Sequence, residues 1–138
     1  MVRIRLRRQG LKRQPIYRVV VTDQRKARGG GYLEVIGLYN PRTRPATEQV
    51  DEERALYWLS VGAQPSDAAR RLLEHTGTWA RYQRLLKGEE MAALVEEAAA
   101  SPRPQVDPRT SYPSPEPGQG KGPRQAERAA AAAKAQAE

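Results

Sequence analysis

The chain has 138 residues, 38% hydrophobic and 29% charged, with 24 Lys or Arg against 16 Asp or Glu, a formal net charge of +8 and a sequence pI of about 10.2. Such a chain can bury one modest core, and its charge favours a polyanionic partner, nucleic acid or an anionic membrane surface. The absence of cysteine excludes a disulfide framework and a thiolate metal site, and no apolar run approaches membrane-spanning length.

Ten Lys or Arg and a single carboxylate, Asp23, fall between Met1 and Arg28. Residues 2–8 alternate apolar and basic, so an extended segment sets Val2, Ile4 and Leu6 on one face and Arg3, Arg5 and Arg7 on the other. One face belongs to a core and the other is a guanidinium row. Side chains two residues apart on a strand stand roughly 6.6 Å from one another, close to the spacing of phosphates along a nucleic-acid strand. No apolar run of signal-peptide length follows these cations, and the strand period argues against a transit peptide.

Residues 9–15 read as a turn carrying Lys12 and Arg13, and residues 16–23 as a second, β-branched strand that includes Arg18. Residues 24–31 form a basic loop in which Arg25, Lys26 and Arg28 lead into Gly29, Gly30 and Gly31. Residues 32–39 read as a third strand closed by Asn40 and Pro41, which makes an antiparallel meander joined by two basic loops. Asp51 is placed to cap a helix, with Glu52 and Glu53 in its first turn, Ala55, Trp58 and Leu59 on one face and Gly62 at its end. A second helix starts at Ser66, turns Ala69, Leu72, Leu73 and Thr76 inward and stops at Gly77. The pattern predicts an α+β fold: a small mixed or antiparallel sheet with two helices packed on one face, leaving the Arg face free, plus an extended C-terminal tail.

Charge and composition divide the chain at Gly88. Residues 1–88 hold 18 basic and 8 acidic side chains, whereas residues 89–138 hold 6 and 8, so the polyanion-binding surface belongs to the first part. Residues 101–123 contain seven of the eleven prolines and three glycines, which predicts an extended linker. It is flanked by marginal helix-forming segments rich in Ala and Glu, residues 89–100 and 125–138. The expected division is a 1–88 binding domain and an 89–138 tail.

Residues 1–6, the turn from Lys12 to Pro15, residues 17–23, Arg25 with Arg28, Glu34 with Gly37, Tyr39 to Pro41, and the block from Val50 to Pro65 together resemble bacterial small-subunit ribosomal protein sixteen. The likeness runs in order from Met1 to about Trp79. It implies a compact mixed sheet with two helices, cytoplasmic and part of the small ribosomal subunit, that binds the 5′ region of the small-subunit ribosomal RNA and stabilises its folding during assembly beside neighbouring small-subunit proteins. Gly29 and Gly31 depart from the family, which usually has a short polar residue and a cation there. The segment after Trp79 extends beyond a typical member.

Other readings compete with this one. The Gly29 to Gly31 run lacks the following Lys and Ser or Thr of a phosphate-binding P-loop and leads into a strand. Asp23 with Asp51, Glu52 and Glu53 could hold Mg²⁺ in a nuclease, but Asp51 to Glu53 make a good helix start and Asp23 begins a turn. His75 sits in the last turn of a helix, where a partly cationic imidazole is favourable, and no nucleophile and base assemble around it. Tyr17, Tyr32, Tyr39, Tyr57 and Trp58 could stack on bases, yet in a chain without Phe they are assigned to the core. The expectation is a structural RNA-binding protein and not an enzyme, with no cofactor, metal, membrane or small-molecule substrate. Its contacts are Arg3, Arg5, Arg7, Arg8, Lys12, Arg13, Arg18, Arg25, Lys26 and Arg28.

Overall fold

In the computed structural model, which describes residues 1–111, β1 (Val2–Leu11) and β2 (Gln14–Asp23) form a long antiparallel hairpin with Ile4 opposite Val21, Arg5 opposite Val20 and Arg7 opposite Arg18. The strands run further into the expected turn than composition suggested, leaving only Lys12 and Arg13 as the connection. Arg13 has a φ of 57° and Gly10 a φ of 90°. A side chain at Gly10 would also collide with the carbonyl oxygen of Gln14, so glycine is required at that point.

β3 (Glu34–Asn40) pairs antiparallel with β2 through a bulge at Val19 and Val20, and β4 (Thr47–Val50) pairs antiparallel with β3. At Gly37 a Cβ would run into the backbone carbonyl of Gln49, so the glycine lets β4 approach. After α1 (Glu52–Ser60), the two-residue β5 (Gln64–Pro65) returns parallel to β1. The sheet is therefore mixed, in the order β4-β3-β2-β1-β5.

The helices begin where capping chemistry places them. Asp51 accepts a hydrogen bond from the Arg54 amide at 3.3 Å ahead of α1, and Ser66 accepts one from the Ala69 amide at 3.4 Å ahead of α2 (Asp67–Thr76). Ile4, Val19, Val21 and Ile36 from the sheet pack with Ala55 and Leu59 of α1 and Ala69, Leu72 and Leu73 of α2 in one core. Val2, Leu6, Tyr39, Trp58, Trp79 and Tyr82 lie half-buried around it.

Two further helices follow the expected pair, the first unforeseen and the second inside the segment read as marginally helix-forming. Gly77, with a φ of 81°, ends α2 and at once precedes α3 (Thr78–Leu86), and α4 (Met91–Ala100) follows. Arg81 of α3 is buried and donates to Glu52 Oε1 at 2.7 Å, an oxygen that also accepts from Thr78 at 2.7 Å. The Glu52 Oε2 and the Arg81 Nε are buried without a hydrogen-bond partner among the described residues. Burial pushes the Glu52 carboxyl above the ordinary glutamate value, with Thr78 and Arg81 opposing it. The composition boundary at Gly88 falls between α3 and α4. Across it, Leu94 is buried, and Arg84 pairs with Glu89 at 2.8 Å and Glu97 at 2.7 Å.

The described part of the Pro-rich segment, residues 101–111, contains no helix and lies against the loop before β4. The Asp107 amide donates to the Arg44 carbonyl at 3.2 Å, and Arg42 Nη2 donates to the Thr110 carbonyl at 3.0 Å. The expected helix over 125–138 lies outside the described residues. Among the described residues no helix is long and apolar enough to cross a membrane.

Candidate nucleic-acid interface

The strand register decides where the cations go. Because directly opposed residues share a face, Arg3, Arg5 and Arg7 of β1 stand with Thr22, Val20 and Arg18 of β2 on the side away from α1 and α2. Arg8, by the same alternation, lies with Leu6 on the core side, but near the hairpin end, where it is exposed and donates to the Leu11 carbonyl at 3.4 Å. Lys12 and Arg13 occupy the hairpin tip, and Arg25, Lys26 and Arg28 lie exposed on the loop after β2.

That loop changes the expected picture of a bare Arg face. It folds back over the outer side of the hairpin, where Val20 and Thr22 are only 2% and 3% exposed. Arg5 Nη2 donates to the carbonyls of Asp23 at 3.1 Å and Lys26 at 2.6 Å, and Arg7 Nη2 to that of Gly29 at 3.3 Å. The Thr22 hydroxyl donates to the Gly31 carbonyl at 3.1 Å. Arg5 and Arg7 thus brace the loop with part of their donor set, and each guanidinium retains further N–H groups. Arg3 is half-buried, with its Nε buried and unpartnered among the described residues.

Lys12, Arg13, Arg18 and Arg28 make no side-chain hydrogen bond or ion pair with any described residue, and all four are exposed. Their charges are uncommitted among the described residues. The lone carboxylate of the region is already used: Asp23 accepts from the Arg25 amide at 2.8 Å, and this bond holds its carboxyl below the usual aspartate value, helped by the charges of the N-terminus, Arg25 and Lys26.

The carboxylates considered for metal binding are dispersed in helix construction. Asp51 caps α1, Glu52 is bonded to Thr78 and Arg81, and Glu53 is exposed. Among the described residues no three His, Asp or Glu side chains group so as to hold a metal ion. His75 closes α2, with Nδ1 3.4 Å from Glu48 Oε1.

The aromatic residues divide. Tyr39 packs on the core and stacks with Tyr17 at 5.9 Å, and Trp58 packs there too while its Nε1 donates to Glu34 Oε2 at 2.8 Å. Glu34 is also clamped by Arg54 Nε and Nη2, each at 2.7 Å, and these bonds hold its carboxyl below the ordinary value. Tyr32 and Tyr57 correct the core assignment. Tyr32 is 39% exposed just before β3, with the Arg7 guanidinium 5.2 Å from its ring centre, and Tyr57 is 41% exposed beneath Arg54 at 4.7 Å. Sequence reasoning missed Tyr32 and Thr22 as parts of this surface. The alternation of β2 sets Thr22 on the face of Arg18, whereas nothing local signals Tyr32, which the loop folding back on the sheet brings beside Arg7.

Comparison with known families matches residues 8–66 to the family described as Ribosomal protein S16. The small ribosomal subunit protein bS16 of Syntrophomonas wolfei is 54% identical over 85 residues, covering 62% of this chain and 97% of that protein. The bS16 proteins of Dictyoglomus turgidum and Halothermothrix orenii are 47% and 56% identical over 93 and 82 residues, covering 67% and 59% of this chain and 100% and 93% of theirs. Relatives matched over nearly their whole length at about half identity, on a sheet whose outer side and loops carry the basic residues, show that this chain belongs to the ribosomal protein S16 family.

Proposed function

We propose that the protein is a structural constituent of the small ribosomal subunit that binds the 5′ region of small-subunit ribosomal RNA and stabilises its folding during assembly. As a member of this family it is a cytoplasmic ribosomal protein and not an enzyme. RNA helices pack together only where close phosphates are neutralised, and a rigid sheet carrying fixed guanidiniums can bridge two of them through bidentate contacts. The observation that carries this reading is the segregation of the hairpin: α1 and α2 cover the Ile4 face, and the cations gather on the opposite side and on the two adjoining loops.

Arg18, Lys12, Arg13 and Arg28, unpaired among the described residues, are the phosphate contacts in this reading, Arg25 and Lys26 add charge on the loop, and Arg8 extends the surface past the hairpin end. Arg3, Arg5 and Arg7 combine contact with bracing. The partners are the ribosomal RNA and neighbouring small-subunit proteins, with no membrane and no small-molecule substrate. Co-sedimentation tests it: the full chain is expected to remain with small subunits through a high-salt wash. Release at modest salt, with no preference for small-subunit over large-subunit RNA, would leave only non-specific attraction.

A further inference from the structure

Resting on the RNA-binding reading above, we propose that the tip of the loop after β2, residues 28–32, grips one RNA phosphate through backbone amides, and that Gly29 and Gly31 leave the room in which the RNA strand reaches them. Glycine is ordinarily demanded by a left-handed backbone or by a neighbour that a Cβ would strike. Gly10 and Gly37 are such cases. Neither reason operates at the tip: the φ angles of Gly29 and Gly31 lie outside the left-handed range, and a Cβ at either position meets no atom within 4 Å. Alanine there would reduce the entropy of the unfolded chain without a clash, so the fold alone gives no reason for glycine.

The hydrogen bonding of the loop supplies one. Four of its carbonyls are occupied: Lys26 by Arg5, Gly29 by Arg7, Gly31 by Thr22, and Ala27 by the Gly30 amide at 2.9 Å. The amides of Arg28, Gly29, Gly31 and Tyr32 have no acceptor among the described residues. At the tip the carbonyls of Gly29 and Gly31 are bonded to Arg7 and Thr22 of the sheet, whereas those four amides have no acceptor among the described residues, and amides in that state suit an anionic oxygen. Arg25, Lys26 and Arg28 add positive charge on the same loop, and the Arg7 contact with Tyr32 fixes its far end. A phosphate held by amides needs the ribose-phosphate strand within van der Waals distance of the main chain. A methyl at position 29 or 31 would hold that strand away.

The test compares the full-length wild type, G29A/G31A and K12Q/R13N/R18Q by filter binding to an in vitro transcript of small-subunit ribosomal RNA across a salt series. G29A/G31A is expected to keep its melting temperature and to bind about tenfold more weakly at every salt concentration. Its salt slope should match wild type, because neutral amides release no counterions, whereas the basic variant should lower the slope. Wild-type affinity in G29A/G31A, with a lowered slope in the basic variant, overturns the tip contact and leaves the RNA reading in place. A wild-type chain that does not bind the transcript overturns both. Should the double variant melt lower, G29A and G31A are measured singly, and wild-type affinity in both overturns the proposal.

Discussion

Replacing Lys12, Arg13 and Arg18 together removes three exposed cations that make no side-chain hydrogen bond or ion pair with the described chain. Glutamine suits positions 12 and 18, and asparagine suits position 13, because the φ of 57° at Arg13 is one that asparagine tolerates. The fold should therefore survive, with an unchanged melting temperature. Each phosphate that loses its cation takes about 0.7–0.9 off the slope of log affinity against log salt, so the variant should lose roughly 2–3 units of slope. Between about 50 and 200 mM salt, wild type should then lose roughly 15- to 60-fold more affinity than the variant loses over the same interval. Filter binding at four or more salt concentrations reads the difference directly. Parallel lines for the two proteins would remove these residues from the RNA contact, however much the absolute affinity had dropped.

Further expectations concern the frame that holds this surface. R81M should destabilise the chain by about 3 kcal/mol in denaturant unfolding, since it strands the buried Glu52 carboxylate, and E52Q/R81M should recover most of that loss; equal losses in the single and double variants would contradict the account. Because burial raises the folded-state value of Glu52, its contribution is most favourable at low pH and is lost as pH rises through that value, so the R81M deficit should grow from acid to neutral pH. Glu34 has the opposite sign: its lowered carboxyl favours folding above the ordinary glutamate range, and the advantage of wild type over E34Q should shrink as pH falls through the lowered value. Truncation after Gly88 exposes the Leu94 site and frees Arg84; it should cost about 2 kcal/mol of stability yet keep most RNA affinity, and a truncated chain that folds but fails to bind would put contacts beyond Gly88.

Where local chemistry decides structure, the sequence was readable. The alternation in residues 2–7, the caps at Asp51 and Ser66, and the inward Ala69, Leu72 and Leu73 of α2 appear as expected, while α1 buries Leu56 besides Ala55 and Leu59 and leaves Trp58 half-buried. β4 was not readable, since Thr-Glu-Gln-Val offers one apolar residue and its pairing depends on Gly37 admitting it to β3. The two residues of β5 are strand only because the chain leaving α1 passes beside Arg3 and Ile4. α3 was hidden because Gly77 looks like a terminator and serves as a one-residue corner, although Trp79 and Tyr82 three apart were an available helical signal. Of the candidate surface, the shared face of Arg3, Arg5 and Arg7 was legible in the alternation, whereas the core-side place of Arg8 at the hairpin end was not. The bracing of the loop by Arg5, Arg7 and Thr22 was not, because it joins residues 9 to 22 positions apart through loop carbonyls.

The pairing of β1 has a further consequence. Only Arg3 and Ile4 pair with β5, so from Arg5 to Leu11 the outer edge of β1 has no strand partner among the described residues. An open edge invites a second copy to add its own strand, which is a route to aggregation. Here that edge carries Arg5, Arg7 and Arg8, and a second copy docking on it would bring guanidiniums against guanidiniums. Like-charge repulsion opposes such pairing of free copies, and in the proposed RNA-binding role arriving phosphates would relieve it, so the side chains assigned to the RNA contact would also protect the unassembled protein from itself.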